Sequence, residues 1–343
     1  WYTDFDDPRL GGFDAGDFTK LDRLLEESGK GIALFNRIDL AAGWIEFCDR
    51  KIRQGIKIVS TVSLETLLRL AKAERPDGTG AVPDIFSLRR LDLFSYNEFL
   101  SFTHKPAGEQ AVNEFLSRGA FPGLIKTGHT EALHQLYTEI LCKDAVIAGG
   151  IRDRNTLQRM ALHLITNTGE PVTANKLREK LKIKAVSTAA EHMQCIETAG
   201  LVRFVSILSD NPARQAVNPR KVYAVDTALA AAVSTAETVD RNKLFETMLF
   251  NHLCRESRSV CYTNEQGGCD FIASDAEGGV RCIQACYDDD PDLMQTKTDG
   301  LLWALRQTGS SRGTIVTADR NDRIDAENFE IEVIDADTFL GGY

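Results

Sequence analysis

The densest run of side chains able to contact an anion lies between positions 176 and 184. Lys176, Arg178, Lys180, Lys182 and Lys184 put five cations into nine residues, opposed locally by Glu179. Cations spaced this way can neutralise phosphates, which supplies affinity without reading bases. They can equally form a solvated face. A second candidate is Cys282, Gln284 and Cys286, which alternation puts on one strand face, with Cys269 nearby in sequence. A zinc cluster is conceivable there, although the tight cysteine pairs of structural zinc sites are missing. His134, His163, His192 and His252 fall on separate helices, form no HExxH and read as structural. A phosphate-cradling loop needs GxxxxGK followed by Ser or Thr, between a strand and a helix. The one Gly-Lys pair, Gly29-Lys30, lacks the first glycine and runs into Gly31, so it reads as a turn.

Ile32–Phe35 is a short apolar run of the buried parallel-strand type. The polar pair Asn36-Arg37 follows it, and Gly43-Trp44 opens a helix. This is the shape of a Walker B neighbourhood, in which an Asp supports Mg²⁺ and a Glu polarises the attacking water. An amide is a weaker Mg²⁺ ligand than a carboxylate. A guanidinium accepts no proton at any relevant pH. Hydrolysis by this strand end is therefore disfavoured, and a plain buried strand with a solvated polar end is the alternative.

The elements that must position these groups follow from periodicity. Trp1–Phe5 reads as a strand, Phe18–Glu27 as a helix, Trp44–Ile52 as an amphipathic helix, Ile56–Val62 as a strand and Ser63–Ala73 as a helix. Strands alternating with helices at this spacing argue for βαβ units. Glu74–Pro83 reads as a loop, and residues 96–165 as mostly helical. From 156 the order is helix, short helix capped by Thr173, third helix ended by Gly200, then a strand over Leu201–Leu208. That is the winged helix-turn-helix order. Residues 215–343 return to mixed α/β, with a helix at Leu244–Arg255 and strands at Lys221–Val225, Val280–Tyr287, Thr314–Val316 and Ile331–Ile334.

Composition sets bounds. The 343 residues carry 50 Asp+Glu against 40 Lys+Arg, a formal charge of −10, so any nucleic-acid contact must be local. The 8 Cys are scattered without a CxxC pair and read as reduced thiols in a cytoplasmic protein. No apolar stretch reaches the roughly 20 residues of a membrane span. The opening Trp1-Tyr2-Thr3-Asp4 is not a secretory signal.

Several segments, in order, resemble a family of prokaryotic AAA-type P-loop ATPases that carry a C-terminal domain of unknown function. Trp1–Arg9 reads WYTDFDDPR against a family strand of roughly YINFDDPR. Phe35-Asn36-Arg37-Ile38-Asp39 stands at the LDEIQ position, before Gly43-Trp44-Ile45-Glu46 for GWE. Thr61-Val62-Ser63 stands near the sensor TGSS. Leu93–Phe99 matches PLSFKEF, Gly119–Gly123 matches GGFPE, and Lys143-Asp144 matches a lid Arg-Asp. The resemblance implies a nucleotide-binding ATPase fold using ATP and Mg²⁺. Asn36 and Arg37 stand as degraded Walker B positions, and Thr61 and Ser63 as sensor-like residues. The family's P-loop strand is missing, since the chain starts where a second core strand would be. The Gly-Arg before the PLSF segment is also not evident, with Arg89 and Arg90 out of register.

The C-terminal segment resembles the restriction-endonuclease-like PD-(D/E)XK fold. The resemblance assigns Glu246 on the helix, Asp270 at a strand end, and Gln284 and Cys286 where Glu and Lys belong. Carboxylates there bind Mg²⁺ and the Lys helps activate water. Cys286 cannot replace a cationic lysine, so nuclease activity is not expected.

The expected architecture is α/β multidomain. It has a partial P-loop ATPase-like core over 1–95, a helical lid over 96–155, a winged helix over 156–210 and a PD-(D/E)XK-like domain over 211–343. The expected function is an ATPase-family nucleotide-binding protein with weak or no hydrolysis. The alternative is a DNA-associated regulatory or defence module that binds DNA through Lys180, Lys182 and Lys184. A protein partner of unknown identity is expected, and no membrane.

Overall fold

The computed structural model describes residues 1–343 except 74–85, 129, 143–150, 152, 210–218, 235–239, 266, 289, 327 and 343. The Glu74–Pro83 loop and the Lys143-Asp144 pair lie outside the described residues. The protein is mixed α/β, with several sheets. It divides into two compact units, Trp1–Asp92 and Leu93–Tyr343.

The first unit alternates β1 (Tyr2–Asp4), α1 (Phe18–Ser28), β2 (Ile32–Asn36), α2 (Trp44–Arg53), β3 (Lys57–Ser60) and α3 (Leu64–Ala73). The strands form an all-parallel sheet in the order β1-β2-β3. Alternation along β2 sends Ala33 and Phe35 to one face. There they meet Phe18, Leu21 and Leu25 of α1, Trp44, Phe47 and Cys48 of α2, and Leu70 of α3. Phe18 stacks on Phe47 with centroids 4.3 Å apart. The opposite parity puts Tyr2, Leu34 and Val59, mutually in register, on an exposed face. The Asp6-Asp7-Pro8-Arg9 segment is locally self-contained. Asp7 caps a 3-10 turn over Pro8–Leu10 and pairs with Arg9 at 2.5 Å. The Arg9 hydrogen bonds hold the Asp7 carboxyl down to about 2.

In the second unit α4 (Tyr96–Thr103), α5 (Glu109–Arg118), α6 (Pro122–Thr127), α7 (Thr130–Ile140) and α8 (Arg154–Thr166) come first. A reciprocal capping box between Ser95 and Glu98 starts α4, which is the physical content of the Leu93–Phe99 motif. Then follow β4 (Pro171–Val172), α9 (Ala174–Leu181), α10 (Val186–Thr198), β5 (Val202–Val205), β6 (Arg220–Ala224) and α11 (Thr227–Val233). Strands β4, β6 and β5 make an antiparallel sheet in that order. Thr173 caps α9 by accepting the Lys176 N–H at 3.1 Å.

The chain ends with α12 (Arg241–Glu256), β7 (Ser259–Cys261), β8 (Phe271–Ser274), β9 (Val280–Cys286), α13 (Pro291–Thr308), β10 (Arg312–Thr317), β11 (Asp322–Ala326), β12 (Phe329–Asp335) and α14 (Ala336–Gly341). These strands form a six-stranded sheet in the order β11-β12-β10-β9-β8-β7. Strands β9, β10 and β12 run parallel, and the outer pairings are antiparallel. One face, with Phe271, Ala273, Ile283, Ala285, Val316 and Ile334, joins the core shared with the preceding helices. The other, with Ile272, Cys282, Ile315, Ile331 and Val333, is covered by Leu301, Leu302 and Leu305 of α13. A sheet buried on both faces needs apolar residues at consecutive positions, which is why Ile283–Cys286 carries only one polar side chain. Residues on both sides of 155/156 and 210/211 share one continuous core.

Candidate functional site

Two polar centres emerge. The first is the carboxyl edge of β2 in the first unit. Strand β2 ends at Asn36, and its flanking strands end at Asp4 and Ser60. Parallel pairing thus brings three loop entrances side by side. The Asn36 amide donates to Asp4 at 2.9 Å and accepts from the Thr61 hydroxyl at 2.6 Å. Thr61 in turn accepts the Arg37 N–H at 2.9 Å. Arg37 adopts a left-handed backbone with φ 52° and pairs with Asp39 at 3.3 Å. Asp39 also accepts from the Ser63 N–H at 3.0 Å and the Thr66 hydroxyl at 3.1 Å. The four positions singled out in this unit, Asn36, Arg37, Thr61 and Ser63, therefore belong to one network. Asp39 and Asp4, which the sequence did not single out, anchor it.

The second centre lies in the larger unit. Glu246 on α12 and Asp270, just before β8, are both buried. The Lys221 ammonium on β6 sits 2.8 Å from Glu246 and 3.2 Å from Asp270. Lys297 of α13 meets the other Asp270 oxygen at 2.5 Å. The Tyr223 hydroxyl donates to Glu246 at 2.6 Å. Burial opposes the Asp270 charge, but Lys297, Lys221 and the Ala285 N–H outweigh it and hold the carboxyl well below the usual range. Burial likewise opposes the Lys221 charge, and the facing carboxylates of Glu246 and Asp270 reverse the balance and raise it.

Gln284 is committed to structure. Its amide donates to the carbonyls of Gly268 at 2.8 Å and Lys297 at 2.9 Å and accepts the Asp270 N–H at 3.0 Å. Cys286 is buried, and its thiol donates to the Asp288 carbonyl at 3.5 Å. Among the described residues, no three His, Cys, Asp or Glu side chains are grouped to hold a metal ion, the Cys269–Cys282–Cys286 set included. Burial pushes the Cys269 and Cys282 thiols up.

Sequence reasoning missed Lys221, Tyr223 and Lys297. A lysine directly preceding the run Val222–Ala224 on the same strand was the available signal for Lys221. Lys297 carried none, since a lysine in a helix is ordinary.

The basic run sits on α9 and its C-terminal cap. Lys176, Lys180, Lys182 and Lys184 are exposed and have no ion-pair partner among the described residues, whereas Arg178 pairs with Glu179. On the neighbouring α10, Ser187, Glu191 and Gln194 are exposed. His192, on the same helix, is buried, its Nδ1 has no hydrogen-bond partner among the described residues, and burial lowers its pKa.

Residues 109–240 match a domain of unknown function, DUF8612. The match covers α5 through α11, including the lysine run and Lys221. None of the curated proteins searched matches the chain. Among the described residues, no helix is long and apolar enough to cross a membrane.

Proposed function

We propose that this chain carries the mononucleotide-handling scaffold of an ATPase-family protein in a form that does not hydrolyse ATP, and that it works as a nucleotide-responsive binding protein. The observation that carries this reading is the Asn36 network at the carboxyl edge of an all-parallel sheet. Ligands of open α/β sheets gather outside the carboxyl ends of the strands. A hydrolase needs there a free carboxylate to align Mg²⁺ and a base to orient water. Here the amide of Asn36 is divided between Asp4 and Thr61, and Asp39 is held by Arg37, Ser63 and Thr66. The other carboxylate at this edge, Asp4, spends its Oδ1 on the Asn36 amide and the Asp6 N–H. Positioning a phosphate through Arg37 and the Thr61 and Ser63 groups remains chemically reasonable. Titrating the intact gene product with a fluorescent ATP analogue and Mg²⁺ tests the reading. Saturable binding weakened by Arg37→Ala is expected, and no binding at millimolar nucleotide contradicts it.

A second reading rests on the lysines of α9 and the turn after it, which have no ion-pair partner among the described residues. The order α8, β4, α9, α10, β5, β6 supports a winged helix, and α12-β7-β8-β9-α13-β10 supports a nuclease-like core whose Glu246–Asp270 centre is neutralised by lysines. On this reading the protein contacts DNA phosphates without cutting. Duplex DNA binding should weaken steeply with salt and be lost in the Lys180→Glu, Lys182→Glu, Lys184→Glu variant. Binding that this triple variant leaves intact would remove the reading.

A further inference from the structure

Strand β6 belongs to the three-stranded sheet, yet its Lys221 ends between two carboxylates contributed by elements of the six-stranded sheet's half. Tyr223, two residues along and so on the same strand face, reaches Glu246 as well. Its ring stacks on Phe250 of α12, with centroids 4.2 Å apart. Just beyond β5 and β7 the chain forms a parallel bridge, Ile207 with Tyr262, where the Leu208 N–H donates to the Tyr262 carbonyl at 2.7 Å. The lysine thus sits on a strand that Tyr223 ties to α12.

Charge decides what the centre accepts. Glu246, Asp270 and the neighbouring Glu170 bring three negative charges, and Lys221, Lys297 and Lys243, the last 3.3 Å from Glu170 and 3.9 Å from Glu246, bring three positive ones. A divalent cation entering this balanced group would face two ammoniums at close range and would displace neither without leaving it buried and unpaired. Take Lys221 away and the remaining five groups carry one net negative charge. The vacated space then lies between the Glu246 and Asp270 carboxylates, the hard oxygen donors that Mg²⁺ and Mn²⁺ prefer.

We propose that Lys221 is a built-in cation. Strand β6 lodges its ammonium where a divalent ion would otherwise bridge Glu246 and Asp270, closing the centre to metal and locking the two sheets of the larger unit together. The contact is autoinhibitory in form, with the wing sheet itself supplying the plug. The inference stands apart from the nucleotide reading, which concerns residues 1–92.

The test is Mn²⁺ binding followed by loss of the free-ion EPR signal, in the whole chain and in Lys221→Met, whose side chain keeps nearly the same length without the charge. The native chain should leave the signal of 1 mM Mn²⁺ unchanged. Lys221→Met should take up one ion per chain, with a Kd at least about tenfold below that of Lys221→Met/Glu246→Gln, about the effect of one lost carboxylate ligand. Stoichiometric uptake by the native chain overturns the proposal, and so does a folded Lys221→Met that binds no better than native. If Lys221→Met does not fold alone, it should refold on adding Mn²⁺ and not at matched ionic strength in NaCl. Failure to refold with Mn²⁺ also overturns it.

Discussion

On the proposed reading the edge of β2 and the Asp270 centre both stand where the resemblances put hydrolytic side chains, and they differ in how charge is balanced. At β2 the substitution is local. An amide and a guanidinium stand in line with the strand, and the resulting network is partly open to water. Around Asp270 the carboxylates remain and the neutralising charge is imported from two other elements, in a buried setting. The contrast teaches that the energetic consequences of disturbing them are unequal. Water can solvate what a broken surface network leaves behind, but it cannot reach a buried ion whose partner is gone.

The comparison breaks most visibly at Asp270. Replacing it by Ala takes from Lys297 its ion-pair partner and leaves Lys221 with Glu246 alone, and should cost about 3–5 kcal/mol of unfolding free energy in urea. Its lowered folded-state pKa adds a pH signature. The stabilisation it provides is present above its unfolded value near 3.8 and is lost as the pH falls. A loss under about 1 kcal/mol in Asp270→Ala would mean that the cluster is not a buried ionic unit.

Asp226 sharpens the contrast by being a buried carboxylate without a lysine. It caps α11 by accepting the Leu229 N–H at 2.7 Å, and it accepts the Ala120 N–H at 2.6 Å. Burial outweighs those bonds and raises its pKa to about 6. A raised carboxyl favours the protonated fold, so this stabilisation is complete below pH 3.8 and lost as the pH rises through about 6. The difference in stability between the native chain and Asp226→Asn should shift by about 2–3 kcal/mol between pH 4 and 7. A flat difference would show that the acid stays ionised. The same contact explains the Gly119-Ala120-Phe121-Pro122 motif. Gly119 has φ +70°, and a Cβ there would lie 2.4 Å from the Asp226 oxygens.

Asn36→Ala should be the mildest of the set. Its partners Asp4 and Thr61 are reachable by water, so unfolding free energy should fall by less than about 1 kcal/mol. A loss comparable to Asp270→Ala would erase the distinction between the two centres.

Much of the first unit was legible because its signals are local. The apolar run Ile32–Phe35 ends in a polar pair, and a strand that stops there must present Asn36 at its carboxyl end. The cap at Thr173 was legible for the same reason, as one side chain bonding a backbone group three residues on. The Asp270 centre was legible only in part. Glu246 and Asp270 stood out through a pattern, but Lys221 lies 49 residues from Asp270 and Lys297 lies 27 away. No periodicity brings such residues together, because their meeting depends on how β6 and α13 pack against the sheet. Strand β11 was also invisible. It reads Asp-Arg-Ile-Asp-Ala, an edge strand whose charges guard an open side and hide its strand character.

The central claim is that the Asn36–Arg37 edge holds a nucleotide-type scaffold from which the splitting chemistry has gone. Steady-state phosphate release from the intact gene product at saturating ATP and Mg²⁺ tests it most directly, with Asn36→Ala alongside. The account expects both proteins to stay at the no-enzyme background. Release at ordinary ATPase rates, roughly 1 per second or faster, that Asn36→Ala abolishes would contradict it.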